Sequence, residues 1–233
     1  MIEPFEVIAL LAQTAMFSGL AKPQLRTLAD AARETAFAPE QVIFSRGDKG
    51  GDLHVVADGR IRLSVLNPEG RVLAFNNAMR GDIFGEIAAL DDGVRSADAT
   101  AMTASRTYAI PAVTVLKVCT ADPAAARGTI AFLCGRIRAT SAQVEDIALH
   151  SITVRIARFF LQALKLGKAQ PGGLRQATLE LRFTQAELAD LLGASRQKTN
   201  LALSTLTQAK ALSRRKGIYT CNVAALRKFA RTD

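Results

Sequence analysis

A glycine, an acid and an arginine lie close together in one short stretch of the chain. The stretch reads Phe84-Gly85-Glu86-Ile87-Ala88-Ala89-Leu90, and Arg95-Ser96-Ala97 follows it. Gly85 lets the backbone approach a ligand closely, and Arg95 can donate to two phosphate oxygens at once. The carboxylate of Glu86 repels a phosphate but accepts from a hydroxyl, so together these groups suit a sugar phosphate. On spacing alone, a surface turn with a Glu86–Arg95 salt bridge explains them equally well.

A second group of polar and basic residues lies near the C-terminus, where capping residues begin two helices in succession. Thr184, with Glu187 three residues later, forms a capping box and predicts a helix over residues 185–192. Gly193 predicts a tight turn, and Ser195 can cap a second helix over residues 196–206. This order is typical of a helix-turn-helix, although a plain helical hairpin is the alternative. The candidates for reading base edges stand at the start of the second helix: Arg196, Gln197, Lys198 and Asn200.

The charge of the chain is concentrated in its last third. Residues 1–150 contain 15 basic and 17 acidic residues, whereas residues 151–233 contain 15 basic and 4 acidic residues. Such asymmetry favours a near-neutral module joined to a module that binds a polyanion, with nucleic acid first and an anionic membrane surface second. Residues 213–220 predict a hairpin wing whose basic tip, Arg215 and Lys216, contacts DNA phosphates.

Three patterns of apolar residues organise the rest of the chain. Residues 5–37 are predicted to be helical, and from residue 39 onward the period changes to two, with recurring glycines, which is typical of an antiparallel β-roll. Residues 97–110 supply its last strands. Residues 123–149 predict one long helix, followed by a hinge over residues 146–151 and a helix over residues 152–166. The long helix carries an apolar stripe that packs either on its own β-roll or on a second copy: Ile130, Leu133, Ile137, Thr140, Val144 and Ile147.

The stretch FGEIAAL…RSA resembles the phosphate-binding cassette of cyclic-nucleotide-binding domains, and the whole chain resembles bacterial transcription regulators of the CRP/FNR family. The resemblance implies an α+β fold with an N-terminal cyclic-nucleotide-binding β-roll (residues 1–121), a long dimerisation helix and hinge (residues 122–150) and a C-terminal winged helix-turn-helix that binds DNA (residues 151–233). It also implies a cyclic nucleotide effector and a set of ligand-binding residues: Gly85, Glu86, Ile87, Ala88, Arg95, Ser96, Ala97, Arg136, Thr140 and Ser141.

The resemblance bears on which nucleotide binds. In a cyclic-AMP-binding member of the family, a Thr-Ser pair at the place of Thr140 and Ser141 reaches adenine from both subunits, which favours cyclic AMP. Asp98, directly after the cassette, departs from the Thr or Ser of cyclic GMP binders, yet its carboxylate can accept guanine N–H groups. Cyclic GMP therefore stays open, as does a constitutive regulator or one that responds to a different ligand.

The resemblance further implies a homodimer on palindromic double-stranded DNA. Thr184, Ser195, Arg196, Gln197, Lys198, Asn200, Arg215 and Lys216 are the expected DNA-binding residues. Gln197 and Leu201 depart from the glutamate and arginine of the family pattern, so the operator is expected to be related but not identical. The loop over residues 167–173 is a candidate contact with RNA polymerase.

Several other classes are disfavoured by the sequence. No apolar run is long enough for a membrane span, and the N-terminus lacks a secretion signal, so we expect a cytoplasmic protein. Cys119, Cys134 and Cys221 are too scattered for a metal site, and His54 and His150 are isolated. We therefore expect no metal and no enzymatic activity, and we expect a structural role for His54.

Overall fold

The computed structural model describes residues 4–66, 72–121, 123–166, 170–172, 176–180, 184–215 and 217–231. It divides into two compact units, Met1–Thr140 and Ser141–Asp233. The three-part domain boundaries drawn from the sequence stay predictions.

The N-terminal unit begins with two helices, α1 (Pro4–Leu11) and α2 (Lys22–Ala31). As predicted, Pro23 stands in the first turn of α2, where its missing N–H has no helical partner to lose. The prediction of helix up to residue 37 is wrong, because Arg33–Phe37 forms strand β1. This strand pairs antiparallel with a strand far along the chain, from Arg33↔Ala109 to Phe37↔Ser105, so long-range hydrogen bonds override the local pattern.

Two antiparallel sheets form the predicted β-roll. The sheet orders are β1-β8-β3-β6 and β2-β7-β4-β5. The strands after β1 are β2 (Val42–Phe44), β3 (Asp52–Asp58), β4 (Arg60–Leu66), β5 (Val72–Met79), β6 (Ile83–Phe84), β7 (Asp98–Ala101) and β8 (Ser105–Pro111). The alternation seen in the sequence is real in β4, where Ile61 and Leu63 are buried and Arg62 is half-buried. The predicted turn over residues 68–70 lies outside the described residues.

Three helices complete this part of the chain: α3 (Glu86–Asp91), α4 (Ala112–Cys119) and α5 (Pro123–Leu149). The bounds of α5 are those predicted. The hinge predicted over residues 146–151 does not begin at residue 146, because α5 continues through Leu149 and the helical pattern breaks only at His150 and Ser151. The Ser151 hydroxyl accepts from the backbone N–H of Val154 at 3.5 Å, at the start of α6 (Ile152–Leu166).

The C-terminal unit packs helices on a four-stranded sheet. Its other helices are α7 (Gln185–Leu191), α8 (Arg196–Gln208) and α9 (Val223–Phe229). The sheet order is β11-β12-β10-β9, with β9 (Gln170–Gly172), β10 (Gln176–Glu180), β11 (Leu212–Arg215) and β12 (Ile218–Asn222). The antiparallel pair β11–β12 is the predicted wing. The prediction of a loop over residues 167–173 is wrong for Gln170–Gly172, and residues 167–169 and 173 lie outside the described part.

Each unit has its own apolar core. Tyr108 lies in the core of the first unit and is 1% exposed, and Tyr219 lies in the core of the second and is 5% exposed. Among the helices of the described residues, none combines the length and apolar character that crossing a membrane requires.

Candidate functional site

The cassette is built at the junction of β6 and α3. Gly85 has a left-handed backbone with φ of 75°, and Glu86 begins the helix. A Cβ atom on residue 85 would collide with Nη1 of Arg95. The turn therefore requires glycine twice over, for its backbone angle and for the space that the arginine takes.

Arg95 is buried against the turn, with only 5% of its surface exposed. Its Nη1 donates to the Gly85 carbonyl oxygen at 2.9 Å, and its guanidinium carbon lies 4.1 Å above the centre of the Phe44 ring. Its Nε is buried and has no hydrogen-bond partner among the described residues. Burial lowers the pKa of Arg95, while the Asp52 and Asp48 carboxylates act in the opposite direction. A buried cation with an unpartnered N–H is suited to an anionic ligand.

Glu86 is 2% exposed and forms its salt bridge with Arg136 of α5, rather than with Arg95. The Arg136 Nε donates to Glu86 Oε1 at 3.1 Å. The sequence indicated that both residues lie near the ligand but did not indicate that they pair. No local signal reveals the pair, because the two residues are 50 positions apart.

The remaining cassette residues differ in exposure. Ala88 is buried, and its Cβ fills the space beside Gly50, so only its backbone is available to a ligand. Ile87 and Ser96 are exposed, and Ala97 is half-buried. Thr140 and Ser141 are exposed on α5, with Thr140 one turn beyond Arg136 and about 6 Å further along the helix. The structure thus brings four predicted site residues into direct contact in two pairs, Arg95 with Gly85 and Arg136 with Glu86.

A cleft of about 610 Å³ opens beside Arg95, on the side of Phe44, Asp48, Lys49 and Asp52. His54 lies at its wall, 7% exposed, with its ring stacked on Phe84 at 4.9 Å. Its Nδ1 is 3.1 Å from the Thr107 hydroxyl oxygen. Burial, and after it the charge of Arg95, lower the pKa of His54 to about 4. The ring is buried and stacked on a neighbouring aromatic ring, which agrees with the structural role expected for His54.

Asp98 and two buried cysteines also bear on ligand chemistry. The Asp98 Oδ1 accepts from the backbone N–H of Arg46 at 2.8 Å, so this carboxylate already has a partner within the chain. Cys119 and Cys221 are buried thiols, and burial raises the pKa of Cys221 to about 11. Within the described ranges, His, Cys, Asp and Glu side chains form no group of three or more that is able to hold a metal ion.

The predicted caps of the helix-turn-helix are present. The Thr184 hydroxyl accepts from Glu187 N–H at 3.1 Å, and the Glu187 carboxylate accepts from Thr184 N–H at 2.6 Å. The Ser195 hydroxyl accepts from Lys198 N–H at 3.3 Å. Gly193 between the helices has φ of 60°. Thr184 and Ser195 therefore fix the first turns of α7 and α8, which is how they position these helices.

Helix α8 has one buried face and one open face. Its buried residues are Thr199, Ala202, Leu203 and Leu206. All the predicted base-reading residues are exposed: Arg196, Gln197, Lys198 and Asn200. Asn200 also lines a cavity of about 240 Å³ between α8 and the strands of the wing. In the wing, Arg215 is exposed, and Lys216 lies outside the described residues.

Comparison with known proteins gives two family matches. The cyclic nucleotide-binding domain matches residues 34–122, which contain the cassette, and the Crp-like helix-turn-helix domain matches residues 154–229. A protein of Mycobacterium tuberculosis named CRP-like cAMP-activated global transcriptional regulator is 27% identical over 84% of this chain and 86% of its own length. The chain belongs to the CRP/FNR family. This CRP/FNR protein is thus a transcription regulator, with a cyclic-nucleotide-binding domain and a DNA-binding helix-turn-helix, in a family of regulators rather than enzymes.

Solved structures share the fold of this CRP/FNR regulator. FixK2 from Bradyrhizobium japonicum superposes with a TM-score of 0.74 at 20% identity, covering 87% of this chain and 98% of its own. The c-di-GMP responsive global regulator CLP of Xanthomonas campestris superposes with a TM-score of 0.70 at 19% identity, covering 87% and 99%.

Proposed function

We propose that this protein is a homodimeric transcription regulator whose binding to palindromic DNA is controlled by a cyclic nucleotide, with cyclic AMP favoured. The observation that carries the proposal is the buried Arg95 guanidinium, whose Nη1 contacts the left-handed turn at Gly85 and whose Nε has no partner among the described residues. The cation is already desolvated by the fold, so an anionic phosphate gains more from it than from an exposed arginine.

In this proposal different cassette residues bind different parts of the nucleotide. Arg95 neutralises the cyclic phosphate, and Glu86 accepts a hydrogen bond from the ribose 2′-hydroxyl. Backbone contacts to the phosphate come from Gly85, Ile87, Ala88, Ser96 and Ala97. Arg136 holds the Glu86 carboxylate at 3.1 Å, which fixes the acceptor before the ligand arrives.

Two features favour adenine over guanine as the base. Thr140 and Ser141 lie beyond Arg136 on α5 and are exposed, so their hydroxyls are available to bond a base. Asp98, the residue suited to guanine, has its Oδ1 engaged by the Arg46 backbone. The Mycobacterium tuberculosis relative is named as cAMP-activated, which agrees with this assignment.

An exposed apolar stripe on α5 supports the homodimer. Ile130 is 60% exposed, Ile137 65% and Val144 60%, and they recur every seven residues, as in the seam of a two-stranded coiled coil. A second copy of α5 is the occupant that matches this repeat. Two copies present two recognition helices, so the DNA site is palindromic, with half-sites about one helical turn apart.

The DNA contacts in this proposal come from α8 and the wing. Arg196 forks onto a guanine, Gln197 or Asn200 bonds an adenine, and Lys198 adds a positive charge. Arg215 and Lys216 bind phosphates. The capping residues Thr184 and Ser195 place the N-termini of α7 and α8 against the DNA backbone. A cytoplasmic location follows from the DNA partner, and residues 167–173 are the candidate contact with RNA polymerase.

For the nucleotide to act as a switch, it must bind the DNA-competent arrangement of the dimer more tightly than the other arrangement. The test is calorimetric titration of the purified protein with cyclic AMP and, separately, with cyclic GMP. We expect cyclic AMP to bind, Arg95→Ala to abolish binding, and the control Arg26→Ala, which removes an exposed arginine of α2, to bind like the unaltered protein. Failure of both nucleotides to bind would replace this proposal by a constitutive regulator or by one that responds to another ligand.

A further inference from the structure

A large apolar side chain stands in the open on the recognition helix. Leu201 is 71% exposed, although Ala202 and Leu203, which follow it directly in the helix, are buried. It lies one turn after Gln197 on the open face of α8, away from the buried Leu203 and Leu206. The core therefore does not need this leucine.

The charge around Leu201 identifies what covers it. Arg196 and Lys198 are exposed on the same helix, and Arg215 is exposed on the wing. These cations make the surface suited to the phosphates of DNA and unsuited to an apolar protein partner. An isolated leucine inside a basic DNA-reading face has one apolar target in the major groove, the C5-methyl group of thymine.

We infer that Leu201 reads a thymine by contact with its methyl group and so determines one position in each half-site of the operator. The inference rests on the proposed binding of α8 in the major groove. Four residues of helix span about 6 Å, and stacked bases are about 3.4 Å apart. The thymine read by Leu201 is thus one or two steps from the base read by Gln197.

The contact predicts a loss of DNA affinity when only the methyl group of the thymine is removed. Deoxyuridine pairs with adenine as thymine does but lacks the methyl. One lost methyl contact is worth about fourfold in affinity, and loss in both half-sites is worth about fifteenfold. A polar side chain at position 201 would show no such dependence.

The experiment begins with selection of duplexes from a randomised library by the full-length protein at saturating cyclic AMP. Each thymine of the selected site is then replaced by deoxyuridine, and affinity is measured by fluorescence anisotropy for the unaltered protein, Leu201→Ala and the control Gln208→Ala. Gln208 is exposed on the same face two turns later. Circular dichroism checks that each variant is folded.

We expect deoxyuridine at one symmetric pair of positions to weaken binding by the unaltered protein and by Gln208→Ala, while Leu201→Ala binds both duplexes equally. A selected site with no methyl-sensitive position, or equal sensitivity in Leu201→Ala, overturns the inference about Leu201 alone. Selection of no sequence at all overturns the proposed sequence-specific binding together with the inference.

Discussion

Arg136 holds the carboxylate of Glu86 across 3.1 Å, from a helix that begins 37 positions after the cassette acid. The pair gives the acid a partner in the free protein, so under the proposed function a ribose hydroxyl would join an existing hydrogen bond and would not meet an isolated charge. Because Glu86 is 2% exposed, its carboxylate depends on this arginine for compensation.

Removal of the arginine is therefore expected to harm both stability and ligand binding. Arg136→Ala should lower the free energy of unfolding by about 1–3 kcal/mol, because a buried carboxylate loses its ionic partner. Arg138→Ala removes an exposed arginine from the same helix and should change it by less than about 0.5 kcal/mol. Urea unfolding measures the free energy of unfolding of both variants. Equal effects would show that the Glu86–Arg136 pair contributes nothing to stability.

The turn at Gly85 allows backbone strain to be separated from crowding. Gly85 and Gly81 both have positive φ, 75° and 90°, but only residue 85 has Arg95 in the place of a Cβ. Gly81→Ala should cost about 1–2 kcal/mol for its backbone angle. Gly85→Ala should cost at least about 1 kcal/mol more and should lose nucleotide binding, because Arg95 must move. Thermal unfolding and calorimetry measure the two quantities, and retention of full nucleotide affinity by Gly85→Ala would contradict the role given to this turn.

His54 predicts a dependence of stability on pH. Its pKa in the folded chain is about 4, below the ordinary 6.5, so between these values the unfolded chain binds a proton that the folded chain excludes. The stabilising contribution is complete above pH 6.5 and is lost as the pH falls towards 4, by about 3 kcal/mol at most. Urea unfolding from pH 7.5 down to about 4 should show a steeper fall for the unaltered protein than for His54→Gln. Parallel curves would show that burial of this ring does not control its protonation.

The apolar stripe on α5 predicts the oligomeric state. Ile137→Glu places a charge at the centre of the seam, so we expect a monomer in analytical ultracentrifugation and weak binding to a palindromic duplex. Arg138→Glu changes a charge at the next residue, which is exposed and outside the apolar stripe, and should leave the dimer intact. If Ile137→Glu dimerises with an unchanged dissociation constant, the dimer interface lies on another surface.

Local signals in the sequence predicted much of this fold, and non-local pairing explains what they missed. The caps at Thr184 and Ser195 involve residues within three positions of each other, so the local sequence is sufficient to predict the helix-turn-helix. Strand β1 is stabilised by β8, and its five residues carry no signal of that partner. For the same reason the sequence predicts a loop where β9 forms, since the strand character of β9 depends on pairing with β10.

The candidate site shows the same limit. The cassette residues Gly85, Glu86 and Arg95 are close in sequence, and their types indicated their chemistry. The sequence did not indicate that Arg95 would donate to the Gly85 carbonyl, because such a contact depends on how the chain folds back after α3. Nor did it indicate that Asp98 would be engaged by the Arg46 backbone, a contact between residues 52 positions apart.

The distribution of aromatic residues gives the two units separate optical signals. The chain contains no tryptophan and two tyrosines, and each unit buries one of them in its own core, Tyr108 in the first and Tyr219 in the second. Tyrosine emission from the unaltered protein therefore mixes two reporters, and Tyr108→Phe leaves a single fluorophore beside the recognition helix. The melting of the DNA-reading unit can thus be followed inside the intact chain without any added label.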